Sequence, residues 1–150
     1  MAHLPTNFPL LCIRRNNRYT LGMKSKTFFI KFAKWLPAIF ITACSCYLSS
    51  QPTIEHMPDF WNADKLVHLV CFGGLAFWVA FGVGTNLPAK WRILLPILLT
   101  SLYGFIDEIH QSFTPGRSCS VWDWCADTLG AIIGSIVFFK LSNFLGKAKK

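Results

Sequence analysis

The sequence predicts an all-α fold: an integral membrane bundle of about four transmembrane helices. Two features of the composition indicate this, because 53% of the 150 residues are hydrophobic and only 15% are charged. Soluble domains carry about 25% charged residues, so this chain has too little polar surface to cover a bundle in water. The third feature is that the apolar residues fall into four long stretches.

The four apolar stretches have about 18–25 residues each, enough to cross a hydrocarbon core of ~30 Å as helices. They run over about 32–50, 66–83, 91–110 and 121–145. Pro37 and Pro96 are expected in the first turns of their helices, where a missing N–H does least harm. Five tryptophans fall near the predicted helix ends, as is typical of membrane interfaces: Trp35, Trp61, Trp91, Trp122 and Trp124.

The first stretch has a second interpretation. The lysines before it resemble the start of a signal peptide, and Ile41-Thr42-Ala43-Cys44 resembles a lipoprotein cleavage box. Because this box is short and degenerate, we favour an uncut helix. Residues 1–22 are polar and patternless, and we interpret them as a mis-called extension before Met23. The expected layout is a basic N-terminal segment over 1–30, a four-helix membrane domain over 31–145 and a basic tail over 146–150.

The basic residues predict the orientation of the chain. Lys and Arg number seven up to Lys34 at the start of the first stretch, then one, two and one in the successive loops, and four from Lys140 to the end. Cytoplasmic segments carry an excess of Lys and Arg, so both termini and the second loop are expected in the cytoplasm of a bacterium. The chain would then be a multi-pass protein of the cytoplasmic membrane. The net charge of +8 does not indicate nucleic-acid binding, because that needs a basic face on a folded domain and the basic residues here sit mostly at the two ends of the chain.

The acidic residues follow a different pattern. All seven fall in the two predicted outer loops or at the outer ends of helices: Glu55, Asp59, Asp64, Asp107, Glu108, Asp123 and Asp127. Acidic residues contribute little to orientation, so their placement needs another cause. A charge facing lipid costs ~2.5–3.5 kcal/mol near mid-membrane, so such side chains normally face the bundle interior and pair. We interpret them as a polar site on the outer face.

Helical spacing places the polar residues in stripes. Asp64 and His68 are four residues apart and therefore share a face. A second stripe contains Thr100, Gly104, Asp107 and Gln111, and a third contains Asp123, Asp127, Gly130 and Gly134. The glycines of the third stripe predict close packing of two helices. The predicted functional cluster, in which Lys65 and Arg117 are the cations, comprises Asp64, Lys65, His68, Asp107, Glu108, Gln111, Arg117, Asp123 and Asp127.

Structural roles are the alternative for several of these residues. Asp64 suits a helix N-cap, and Asp123 would complement the dipole of the fourth helix. Glu108 would be a solvated interface residue, and Gln111 would bond only to backbone. His110 lies on a different side of its helix from Asp107 and is ranked lower.

The sequence indicates no cofactor. The six cysteines form no C-x-x-C pair and no convincing zinc spacing with histidine. A divalent metal on Asp64, His68 and either Asp107 or Glu108 is an alternative that no motif supports, although histidine and carboxylate are ordinary metal ligands.

Four pieces of sequence carry a resemblance to a known family. They are Ser49-Ser50-Gln51-Pro52, Asp64-Lys65-x-x-His68, Asp107-Glu108-x-His110-Gln111-x-Phe113-x-Pro115-Gly116-Arg117 and Asp123-x-x-x-Asp127-x-x-Gly130-x-x-x-Gly134. Over about residues 35–140 the chain closely resembles the VanZ-like family of small membrane proteins. Asp127 departs from the Asn that the resemblance leads us to expect. The family name comes from an accessory protein of glycopeptide resistance, which implies a role in the cell envelope and no established reaction.

Three functions compete. The favoured one is an accessory protein that binds an envelope lipid, a lipid-linked glycan or an amphiphilic antibiotic at the outer face. The second is an intramembrane hydrolase or transferase on a lipid-linked substrate, with Asp107 or Glu108 as general base, His68 as acid or base and Arg117 at the oxyanion. The third is a bundle whose polar residues only fix packing. We favour a non-enzymatic protein whose partners are membrane lipids or lipid-linked envelope intermediates.

Overall fold

The computed structural model describes residues 29–53 and 61–148. The predictions for residues 1–22, for most of the basic N-terminal segment and for Glu55 and Asp59 lie outside these residues. The chain divides into two compact units, of which the first ends at Ala33 and the second begins at Lys34. In the first unit, residues 29–33 are helical. The four helices and the polar cluster belong to the second unit.

The second unit consists of four helices, and no strand occurs in its described part, so the all-α prediction is confirmed. The helices are α1 (Leu36–Ser49), α2 (Ala63–Val83), α3 (Ala89–Gln111) and α4 (Val121–Ala148). Among the described residues, α2, α3 and α4 are long and apolar enough to cross a membrane. The first helix is shorter than predicted: its 14 residues span only ~21 Å at ~1.5 Å per residue.

The two prolines occupy different positions in their helices. Pro37 lies in the first turn of α1, as predicted. The prediction for Pro96 is wrong, because α3 begins at Ala89 and Pro96 lies inside the helix. An interior proline removes one backbone hydrogen bond, which membrane helices tolerate when neighbouring helices surround it. Pro96 meets that condition, since it is fully buried.

Helices α2 and α4 pack with their backbones in contact. A Cβ atom on Gly130 would collide with the carbonyl oxygen of Leu69, and one on Gly134 would collide with that of Gly73. Only residues without a side chain allow this approach, as in other closely packed membrane helices. This backbone contact fixes how α2 and α4 are aligned. It therefore determines which of their neighbouring side chains face one another.

The distribution of side chains is reversed relative to a soluble protein. Many large apolar side chains are exposed on the outside of the helices, including Leu98, Leu102, Ile106 and Val137. The buried set includes polar and charged residues: Ser49, Thr100, Asp107, Glu108, Gln111, Thr114, Asp123, Asp127 and Ser135. Lipid tolerates the first group and penalises exposure of the second. This arrangement, together with the three long apolar helices, identifies a membrane protein.

Candidate functional site

The predicted polar cluster lies at one end of the four-helix unit. Here α1 and α3 end while α2 and α4 begin, so four helix termini supply its side chains. The structure places all nine predicted cluster residues at this end of their helices or in the loop between α3 and α4. Within the cluster they separate into three groups of contacts.

The first group joins α2, α3 and α4 through His68. The Nδ1 atom of His68 lies 2.9 Å from Oδ1 of Asp127 and 3.9 Å from Oε1 of Glu108. Asp127 and Glu108 are 0% and 2% exposed. Gly104 leaves the space for Asp127, since a Cβ atom there would lie 2.8 Å from Oδ2 of that residue. The other oxygen of Glu108 accepts a 2.7 Å hydrogen bond from the backbone N–H of Ser120.

The second group is a chain of hydrogen bonds from α1 to the loop after α3. Ser49 Oγ donates to Oδ2 of Asp107 over 2.8 Å, and Gln111 Nε2 donates to the same oxygen over 3.1 Å. Arg117 Nη2 in turn donates to Oε1 of Gln111 over 2.6 Å. Thr114 Oγ1 donates to the carbonyl oxygen of Ser49 over 3.0 Å. The cation Arg117 therefore reaches Asp107 through the amide of Gln111.

The third group is a pair of ion pairs around Lys65. Its Nζ atom lies 2.9 Å from Oδ2 of Asp64 and 3.0 Å from Oδ1 of Asp123. The side chain of Asp64 is 47% exposed, whereas that of Asp123 is 12% exposed. Lys65 thus forms ion pairs with one carboxylate at the start of α2 and one at the start of α4. Glu108 and Asp127 lie beside His68 instead.

Three of the structural alternatives are wrong. Asp64 is not the N-cap of α2, because Asn62 occupies that position with a left-handed backbone (φ 60°) and Asp64 lies within the first turn. Glu108 is not solvated, because the start of α4 covers it and Ser120 binds it. Gln111 bonds to the side chains of Asp107 and Arg117 rather than only to backbone.

The remaining two residues with alternative roles lie where the sequence suggested. Asp123 is in the first turn of α4, so a dipole role is compatible with its ion pair to Lys65. His110 is half-buried outside the three groups, with Nε2 3.4 Å from Ser50 Oγ.

Sequence reasoning missed three residues of the site: Ser49, Thr114 and Ser120. Ser49 belongs to the Ser-Ser-Gln-Pro piece at the end of the first apolar stretch. The position of Ser49 at the end of an apolar stretch could have indicated a role in the site. A single uncharged hydroxyl is a weak indication, because serine is also common at helix ends. Ser120 binds Glu108 through its backbone N–H, for which a sequence carries no signal, although its Oγ accepts a hydrogen bond from the N–H of Asp123 and a serine before an apolar run is a recognisable helix N-cap.

One group of described residues could hold a metal ion. His68, Glu108 and Asp127 each offer one ligand atom, and these atoms lie within 4.8 Å of one another. This set differs from the one suggested by the sequence, because Asp64 pairs with Lys65 instead and Asp127 takes its place. Imidazole and carboxylate together suit ions such as Zn²⁺ and Mn²⁺.

Two cavities meet at the cluster. The first, about 240 Å³, is lined largely by apolar side chains of α1 and α2, including Phe40, Leu48 and Phe72. The second, about 460 Å³, is lined by polar residues that include Asp64 and Asp123. Four residues line both: Val67, His68, Gln111 and Arg117. We call the first cavity the apolar groove and the second the polar mouth.

Comparisons with known proteins bear on the family. No curated protein and no solved structure matches the chain. A model of one family, described as VanZ/LLP1, matches residues 9–144, which is most of the chain. The matched residues include α1, α2, α3, most of α4 and the whole polar cluster. The match confirms the resemblance seen in the sequence motifs. The chain belongs to the VanZ/LLP1 family.

Proposed function

We propose that this VanZ/LLP1-family membrane protein binds an amphiphile of the bacterial cell envelope. The ligand is an envelope lipid, a lipid-linked glycan or an amphiphilic antibiotic. Its polar head occupies the polar mouth, and its apolar chain lies in the apolar groove. The protein then acts as an accessory protein of the envelope.

The observation that carries this proposal is that the two cavities share lining residues. An amphiphile needs an apolar surface beside a polar one, and His68, Gln111 and Arg117 line both cavities. Binding cavities commonly combine apolar lining with a few polar groups that fix orientation. The apolar groove is flanked by Phe40 and Cys44, which are exposed on the outside of α1. A lipid chain could therefore enter it from the side.

The charges of the cluster around the polar mouth restrict the head group. The cluster has five carboxylates and two cations, which leaves a net charge of −3 if His68 is neutral and no metal is bound. The charged residues that line the mouth itself are Asp64, Asp123 and Arg117. Such surroundings oppose a bare anion and favour a head with hydroxyl or ammonium donors. Sugars, aminoalcohols and amino sugars have these groups, so a glycan or an amine-bearing head fits better than a simple phosphate.

The orientation predicted from the basic residues favours placement of the mouth at the outer face. The Lys and Arg counts predict both termini in the cytoplasm. The mouth lies at the ends of α1 and α3 and the starts of α2 and α4. With a cytoplasmic N-terminus and alternating helices, this end of the bundle would face away from the cytoplasm. The proposed location is the bacterial cytoplasmic membrane.

The test is native mass spectrometry and lipid analysis of protein purified in mild detergent. We expect a co-purified amphiphile in the natural protein. Arg117→Gln would weaken its retention at the mouth, and Cys44→Trp would fill the groove. The controls are Arg92→Gln, whose arginine binds Ser142 at the other end of the bundle, and Cys46→Trp, whose cysteine faces a different cavity. Absence of any amphiphile, or equal retention in all four variants, would contradict the proposal.

A second candidate is the intramembrane hydrolase or transferase on a lipid-linked substrate. It is favoured by one observation: His68 lies between two buried carboxylates, an arrangement suited to general acid–base catalysis. Incubation of purified protein with lipid-linked glycans, followed by chromatography of the products, distinguishes it from simple binding. Product that forms with the natural protein and disappears in Glu108→Gln would support the enzyme, and unchanged substrate would support binding alone.

A further inference from the structure

We propose that His68, Glu108 and Asp127 form a binding site for one divalent cation of the Zn²⁺ or Mn²⁺ type. Of the three residues, His68 lines the polar mouth, whereas Glu108 and Asp127 are buried, and the inference does not depend on what the mouth binds. The three residues come from α2, α3 and α4, so the ion would also join the three long helices.

The donor set suits such an ion. It offers one imidazole nitrogen and two carboxylate oxygens, and the three ligand atoms lie within 4.8 Å of one another. Two ligands bound at ~2.1 Å to the same metal lie ~3.0 Å apart in an octahedral and ~3.4 Å apart in a tetrahedral site. The 2.9 Å between His68 Nδ1 and Asp127 Oδ1 is within ~0.5 Å of both values. The 3.9 Å to Glu108 Oε1 needs a shift of less than ~1 Å, which a change of side-chain torsion supplies.

Unpartnered oxygens provide an independent observation. Glu108 Oε1 and Asp127 Oδ2 are buried and accept no hydrogen bond from any residue in the described part of the chain. Buried polar atoms in folded proteins nearly always have a partner, and an exception calls for an unseen ion or water. Glu108 Oε1 is also the oxygen that faces His68 Nδ1. Glu108 Oε1 therefore has spare acceptor capacity where it faces His68, and the carboxylate of Asp127 has a second oxygen, Oδ2, that no residue in the described part binds.

The charge around the three residues also calls for a cation. Within the described residues, Lys65 is engaged by Asp64 and Asp123, and Arg117 donates to Gln111. Glu108 and Asp127 therefore face His68 and neither of these two cations. With both carboxylates ionised and the imidazole neutral, the three groups carry −2, which one divalent cation neutralises. The rival arrangement is a protonated His68 with one proton shared by the carboxylates, and it would bind no metal.

The surroundings hold the ligands in position. The backbone N–H of Ser120 binds Glu108 Oε2 and so leaves Oε1 free to face the site. Such outer hydrogen bonds commonly orient metal-binding carboxylates. His68 lines both the groove and the mouth, so it is the ligand that connects the buried carboxylates with the cavities. Three protein ligands leave at least one further coordination position, which in other metal sites is commonly filled by water.

Metal binding is measured first on the full-length protein in detergent. The protein is stripped with a chelator and titrated with Zn²⁺ and, separately, Mn²⁺, and the bound metal is counted after gel filtration. We expect about one ion per chain, with affinity reduced at least about tenfold in Glu108→Gln and in Asp127→Asn. The matched control is Asp64→Asn, whose carboxylate lies outside the three ligands. No binding by the natural protein would overturn the proposal, as would equal loss in the control.

A measurement on the natural protein guards against variants that fail to fold. Electron spin-echo spectroscopy of bound Mn²⁺ detects a coordinated imidazole nitrogen directly. We expect this nitrogen signal in the natural protein and in His110→Asn, and its loss in His68→Asn. Bound Mn²⁺ without a nitrogen signal, or a signal that survives in His68→Asn, would place the ion elsewhere and overturn the assignment.

Discussion

The imidazole of His68 and the carboxylate of Asp127 meet at 2.9 Å across the interface where the backbones of α2 and α4 touch. Along α4, Asp127 is followed at spacings of three and four by Gly130 and Gly134. Along α2, His68 is adjacent to Leu69, whose carbonyl oxygen faces Gly130. The glycine contact and the polar contact therefore belong to one interface. Any change that separates the two helices must also separate His68 from Asp127.

The first prediction concerns the glycines of this interface. Gly134→Ala should destabilise the protein by about 1–3 kcal/mol, because the added methyl group meets the backbone carbonyl of Gly73, which has little room to move. The control is Gly74→Ala, where a Cβ atom meets nothing within 4 Å. It should stabilise the helix by about 0.5–1 kcal/mol. Thermal melts in detergent measure both, and a Gly134 variant as stable as the Gly74 variant would contradict the close packing of α2 and α4.

The second prediction concerns Asp127. Asp127→Asn should keep the fold, because the amide oxygen can still accept a hydrogen bond from His68. Asp127→Leu should cost about 1–3 kcal/mol, since it leaves the buried imidazole without that partner. Unfolding in detergent with increasing denaturant compares the two variants. Equal stability of the Asn and Leu variants would show that the His68–Asp127 contact contributes nothing.

The third prediction separates the two ion pairs of Lys65. Double-mutant cycles with Lys65→Met should give a larger coupling energy to Asp123→Asn than to Asp64→Asn, because Asp123 is more buried. We expect about 1 kcal/mol or more for the Asp123 pair and less than about 0.5 kcal/mol for the exposed pair. The coupling is read from unfolding midpoints of the single and double variants. A larger coupling to Asp64 would mean that the partner at the start of α4 is incidental.

The sequence predicted much of this fold but only part of the site. Hydropathy located the four helices, because lipid requires long apolar stretches whatever their neighbours are. Helical periodicity placed Thr100, Gly104, Asp107 and Gln111 on one face, and all four are buried. The burial of Glu108 could not be predicted, because it depends on how α3 is rotated against the start of α4. Periodicity describes one helix at a time.

The sequence also could not predict which residues of the cluster contact one another. Whether Lys65 faces Asp123, or His68 faces Asp127, depends on the register between α2 and α4, which the backbone contact at Gly130 and Gly134 sets. The sequence suggested that these glycines pack against a helix but did not say which one. The assignment of the cluster to a bound ligand stays a prediction.

The fourth prediction concerns topology. A reporter fused after Lys150 should be active only in its cytoplasmic form, because four basic residues lie between Met23 and Lys34 and four lie between Lys140 and the end of the sequence. A reporter in the loop between α3 and α4, beside Arg117, should show the opposite activity. Activity of the C-terminal reporter outside the cytoplasm would contradict the orientation and move the polar mouth to the inner face.

The last prediction asks whether the buried charges serve stability or a ligand. Glu108→Gln and Arg117→Gln remove charge with little change in size. If the charges only hold the bundle together, removing one partner of a buried pair should cost about 3–5 kcal/mol. If they serve a ligand, stability should change by less than about 1 kcal/mol, or increase, because sites that bind ligands commonly sacrifice stability.

We expect the outcome in which stability changes little. Glu108 Oε1 has no hydrogen-bond donor among the described residues, so an uncharged amide at this position gives up no bond at that oxygen and removes a charge that is costly to bury. Arg117 bonds to the neutral amide of Gln111 rather than directly to a carboxylate, so its loss leaves no uncompensated charge in contact with it. Thermal melts are therefore run beside the measurement of co-purified amphiphile for each variant. Loss of both stability and co-purified amphiphile would favour a structural role of the charges. Retention of both would contradict the structural role as well as the role in ligand binding.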